Sequence, residues 1–110
     1  MVDCSADWRY KLLMSRQVIV KPQALDHLRW LPVRDQRTIV DGIRRHLVEN
    51  DPAAESRNKF RLRRASQTAD YELRLGDLRV FYRIDDAVSI TVIGRKRGNT
   101  LVVQGKEYIL

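Results

Sequence analysis

Apolar and polar residues alternate along YELRLGDLRVFYRI at 71–84, on both sides of a central Gly76-Asp77. A period of two is that of half-buried strands, and Gly-Asp between two such runs predicts a two-residue hairpin turn. In that register Leu75 faces Leu78, Arg74 faces Arg79, Leu73 faces Val80, Glu72 faces Phe81 and Tyr71 faces Tyr82. Tyr71, Leu73, Leu75, Leu78, Val80, Tyr82 and Ile84 then line a core face, and Glu72, Arg74, Arg79, Phe81 and Arg83 point the other way. After the turn signal Asp85-Asp86, VSITVIG at 88–94 predicts a third strand. GRKRGN reads as a basic loop and LVVQ at 101–104 as a final short strand.

Upstream the period changes. QVIVK at 17–21 predicts a strand, and Pro22 suits the first turn of a helix that carries Leu25, Leu28 and Leu31 on one face until Pro32. A second helix is predicted from Asp35 to Asn50, with Ile39, Val40, Ile43 and Leu47 as its apolar stripe. Asn50-Asp51-Pro52 ends it. In RNKFRLRR at 57–64, Lys59, Arg61 and Arg63 alternate with Phe60 and Leu62, as in a basic edge strand or extended loop. The order predicts an α+β fold, a small antiparallel sheet of three to five strands packed on an N-terminal α-hairpin. Residues 1–16 show no clear periodicity and read as an N-terminal extension, a helix or a disordered arm; residues 17–110 read as one domain.

Composition sharpens this picture. In 110 residues, 44% hydrophobic content argues against disorder, and 21 Lys and Arg against 14 Asp and Glu give a net charge of +7. Such an excess favours an anionic partner: nucleic acid, a membrane surface or an acidic protein. No apolar run approaches the roughly 18 residues of a spanning helix, and the start lacks a secretory apolar stretch, so no membrane role and a cytoplasmic location are expected. Cys4 is the single cysteine and has no recognisable partner. Neither a metal-ligand constellation nor a Gly-rich phosphate loop is present, so no metal and no cofactor are expected.

The arginines pose the chemical question. Like charges opposite one another on paired strands are destabilising, yet Arg74 and Arg79 are predicted to be such a pair. An anion between them would remove the conflict, because guanidinium groups bind phosphate through two parallel hydrogen bonds. Arg95, Lys96 and Arg97 are placed to close the same basin, with Phe81 as a stacking candidate; Arg61, Arg63 and Arg83 join them as RNA-binding candidates only through a family resemblance. Against this stands a plainer reading, in which the face is merely solvated and Glu72 neutralises Arg74. His27, His46, Trp8, Trp30 and Phe60 read as surface, boundary or packing residues.

YELRLGDLRVFYRIDD followed by SITVIGRKRGN resembles the signature of the RelE/ParE superfamily of type II toxins, and KPQALDHLRWLP with a second helix ending in ENDP resembles that family's helical hairpin. The similarity spans most of residues 17–104. For the RelE branch it implies a metal-independent endoribonuclease, an mRNA interferase that inhibits translation by cutting mRNA on the ribosome through attack of a ribose 2′-OH. A cognate antitoxin, the ribosome and mRNA are the implied partners, with no small-molecule cofactor. By resemblance Arg79 and Arg74 stabilise the transition state, the basic residue after the glycine of the third strand falls on Arg95 or Lys96, and Glu72 stands where some members carry lysine, as a candidate base. The C-terminal tyrosine of the resembling nucleases would fall near Leu101 and Val102, and Tyr108 lies beyond that spacing. Two alternatives remain, a ParE-like gyrase-poisoning toxin and a catalytically silent module that binds RNA or an antitoxin.

Overall fold

The computed structural model describes residues 17–62 and 69–109. The expectations for residues 1–16, including Cys4 and Trp8, and for Arg63 lie outside the described residues. In chain order the elements are β1 (Val18–Val20), α1 (Pro22–Trp30), α2 (Val33–Ile43), β2 (Lys59–Arg61), β3 (Tyr71–Leu75), β4 (Leu78–Ile84), β5 (Val88–Arg97), β6 (Thr100–Val103) and β7 (Lys106–Glu107). The expected α+β layering is what the structure shows. The sheet is wider than three to five strands: seven pair among the described residues, in the order β2-β3-β4-β5-β6-β7, with β1 added in parallel to β5.

The β3–β4 hairpin has the register read from the sequence, from Tyr71↔Tyr82 to Leu75↔Leu78. Gly76 supplies the turn's positive φ, 65°. Strand β5 runs past Gly94 to Arg97, so most of the expected basic loop is strand, and Gly98-Asn99 make the turn into β6. Between the pairs Phe81↔Val92 and Tyr82↔Ile90, Thr91 is a bulge residue. A bulge adds local twist and re-aims the side chains beyond it.

Both helices pack on one face of the sheet. Ala24, Leu31, Ile39, Ile43 and Leu47 meet Leu73, Leu78, Val80, Tyr82, Val88, Ile90 and Ile93 in the main core. Of the stripe expected on α1, Leu31 is buried and Leu28 packs half-buried against the core, while Leu25 is half-buried and Ala24 and His27 are the residues of the helix that bury most; on α2 Val40 is exposed. The chain beyond α2 widens into a π-helical turn at Arg44–Val48, where Glu49 N–H donates to Arg44 O. Lys59 ties this turn to the loop after it, its Nζ donating to His46 O (2.9 Å) and Asp51 O (2.8 Å). Lys59 is therefore buried on the helical side of β2. Arg61 alternates onto that side too and lies over the Tyr71 ring, turned away from the opposite face it was expected to serve.

The outer face is not wholly polar. Ala69, Phe81, Val92 and Val103 form a second small core, with Leu62, Leu101 and Tyr108 packed against it. A Cβ on Gly94 would meet Val102 O at 2.5 Å and Val103 Cγ2 at 2.9 Å, so glycine at this position lets β6 curl in over the face. Phe81, expected as an exposed stacking platform, is 5% exposed and forms part of this floor.

Candidate active site

The paired arginines lie on the outer face, and what sits between them is Glu72. Its Oε2 accepts from Arg74 Nε at 3.0 Å and lies 3.2 Å from Arg79 Nε, an ion pair whose N–H is not aligned for a hydrogen bond. One carboxylate thus offsets the cross-strand repulsion of two cations. Glu72 and Arg79 are mostly buried, with side chains 12% and 13% exposed, whereas Arg74 is half exposed and rests on the Phe60 ring at 4.5 Å. Arg79 is held further by Nη1, which donates to Gly76 O at 2.6 Å and Leu78 O at 2.9 Å. A cation fixed in this way needs little reorganisation to meet developing negative charge.

Glu72 and Arg79 line a cleft of about 350 Å³ together with Lys96, Asn99, Thr100 and Tyr108, over a floor of Leu62, Phe81 and Leu101. Alternation beyond the bulge separates Lys96 from Arg95. Lys96 shares a face with Leu101, its partner on β6. Arg95 is turned to the helical side, where it pairs with Asp35 of α2 and donates from Nη1 to Asp77 Oδ2 at 2.7 Å. Arg95, expected among the RNA-binding residues, instead ties β5 to α2 and to the hairpin turn. The Asp77 hydrogen bond holds the Arg95 pKa up, and the same bond draws the Asp77 carboxyl below its ordinary range. Arg97 alternates to the side of Arg95 and is exposed at the end of β5. Arg83 stays on the outer face, 3.7 Å from Asp70 through Nε.

No tyrosine stands at position 101, but a chain reversal brings Tyr108 close to it. Gln104 and Gly105 both have positive φ, 51° and 79°, as a two-residue hairpin between β6 and β7 requires. The returning chain brings Tyr108 beside Leu101, where Tyr108 N–H donates to Leu101 O at 2.9 Å. A polar-Gly pair between LVV and KEY is the signal that locates it in sequence. Tyr108 also meets His27 edge to face, with ring centroids 6.4 Å apart. His27 is buried and its Nδ1 accepts the Ile93 N–H at 3.3 Å, filling the β5 edge between β1 and β6. Burial lowers its pKa, with Asp26 opposing, which fits the neutral ring that an accepting Nδ1 requires.

The arrangement offers a fixed arginine, a lysine and a phenol around one pocket, suited to holding a phosphodiester and stabilising charge on it. No group of three His, Cys, Asp or Glu residues among the described residues is placed to hold a metal ion. None of the described helices is long and apolar enough to cross a membrane.

Neither a protein-family model nor a curated protein matches the chain. Solved structures do. A chain of the archaeal RelE–RelB complex from Pyrococcus horikoshii OT3 superposes with a TM-score of 0.57 at 27% identity, over 77% of this chain and 98% of that one. The toxin–antitoxin complex RelBE2 from Mycobacterium tuberculosis gives 0.56 at 27% identity, over 74% of this chain and 99% of its own.

Proposed function

From a chain that is RelE-like in fold and element order, we infer the toxin of a toxin–antitoxin pair that acts as a ribosome-dependent mRNA endoribonuclease. The observation that carries the reading is the meeting of Arg79, Lys96 and Tyr108 around one cleft on the outer sheet face. In-line attack of a ribose 2′-OH, its proton passing to water, breaks the bond from phosphorus to the 5′ oxygen and leaves a 2′,3′-cyclic phosphate; Arg79 and Lys96 stabilise the negative charge that gathers on the phosphoryl oxygens, without a metal. Tyr108 presents a phenol to the same pocket, suited to stacking on a base or donating to the leaving oxygen. Glu72 acts as a clamp, since the oxygen facing the arginines is already engaged by both. A cognate antitoxin neutralises the chain by covering this face.

The test is mapping of mRNA 5′ ends after controlled expression without antitoxin, beside Arg79→Ala. New ends within translated frames that vanish in the variant support the reading. Growth arrest without new ends contradicts it and moves the target to gyrase, and no arrest leaves a binding module.

A further inference from the structure

Tyr108 separates two clefts. On its far side the outer face holds a second hollow of about 410 Å³, lined by Lys21 and Gln23 from the β1–α1 junction, Arg83 from β4, Asp85 from the turn after it, Ser89 and Thr91 from β5, and Tyr108 itself. Arg83 and Ser89 are cross-strand partners, so both project from the face that carries Arg79. Arg83 lies four positions along β4 from Arg79, about 13 Å at a strand's usual rise. That is within reach of the next nucleotides of an extended single strand bound at Arg79.

The chemistry of the hollow differs from that of the first cleft. Arg83 is engaged by Asp70, and Asp85 adds negative charge, so the hollow has no marked excess of cations. What it offers is neutral hydrogen-bonding groups, the Gln23 amide and the Ser89 and Thr91 hydroxyls, beside an aromatic wall. Thr91 Oγ1 donates to Phe81 O at 3.3 Å, which leaves its oxygen free to accept. Single-stranded RNA is read in this manner, by stacking of an unpaired base on an aromatic ring and hydrogen bonds to its polar edge.

We propose that the second hollow is a base pocket, which takes the nucleobase adjacent to the phosphate held at Arg79, stacks it against Tyr108 and reads its edge through Gln23, Ser89 and Thr91. The assignment rests on the ribonuclease reading and names what gives it nucleotide preference. Lys21, exposed at the mouth, meets the phosphate that follows.

The test uses purified full-length protein and fluorescent single-stranded homopolymer RNAs of A, C and U, bound by wild type, Gln23→Ala and Ser89→Ala. Wild type is expected to prefer one base by about tenfold, the scale of a good edge contact. Either substitution should flatten that preference while leaving the salt dependence unchanged. Equal binding of all three homopolymers by wild type, or an unaltered preference in both variants, overturns the pocket. Cut-site mapping on ribosomes separates the two ideas. Cuts that need Arg79 but keep the same flanking base in Gln23→Ala and Ser89→Ala overturn the pocket and leave the nuclease. A base preference that the variants abolish, with no ribosomal cuts, supports the pocket and overturns the nuclease.

Discussion

Glu72 decides how the outer face is built. Breaking a mostly buried ion pair by removing one partner leaves the other charges uncompensated, at a cost of about 3 kcal/mol or more. Glu72→Gln should therefore lower the midpoint of urea unfolding and also reduce cleavage, because Arg79 loses part of its anchoring. Loss of cleavage with unchanged stability would instead mark Glu72 as the proton acceptor. His27 sets a pH limit of its own. Its folded pKa lies below the ordinary 6.5, so the unfolded chain binds the extra proton as pH falls below that value. Stability is full above 6.5 and declines between 6.5 and the folded value; His46, also lowered, acts in the same direction. Thermal melts at pH 7.5 and 5.5 should show a loss on acidification that shrinks in His27→Gln. The Asp77–Arg95 bond is lost separately and only in the carboxylate range.

At the scale of elements, the hairpin of 71–84 was legible because alternation and a Gly-Asp turn fix every partner together. The face assignment was legible too, but not its depth. Phe81 alternates outward as expected and is still buried, because β6 folds back across the sheet, and no local pattern reports that cover. Arg95 and Lys96 were inseparable in sequence, since the Thr91 bulge shifts alternation by one residue and bulges leave little local signal. Tyr108 lies beyond the expected spacing along the chain, and the Gln104-Gly105 turn brings it beside Leu101 in space. The basic alternation of β2 was read correctly, yet Lys59 and Arg61 serve the helical side. Gly94 holds this arrangement open. Gly94→Ala places a methyl against the Val102 carbonyl, and the overpacking should cost about 1–3 kcal/mol. Unseating β6–β7 should also weaken the RNA binding proposed for the first cleft, a joint loss that urea unfolding and oligonucleotide titration would record. Unchanged stability in the Gly94→Ala variant would contradict the close approach of β6.

At the scale of the whole molecule, the cations of the described residues are spread across both faces rather than gathered in the cleft. Arg74, Arg79, Arg83 and Lys96 stand on the outer face against Glu72 and Asp70, while Arg34, Arg37, Arg44 and Arg45 belong to the helical side. A distribution of this kind favours association with a large polyanion and makes it sensitive to salt, while the proposed chemistry calls only on the few fixed groups of one pocket. The most direct measurement adds purified protein to a defined mRNA with and without assembled ribosomes and follows the 5′ ends by primer extension. The account predicts cuts that appear only with ribosomes and disappear in Arg79→Ala. Intact message with wild-type protein on ribosomes, or cuts that persist in Arg79→Ala, would contradict it.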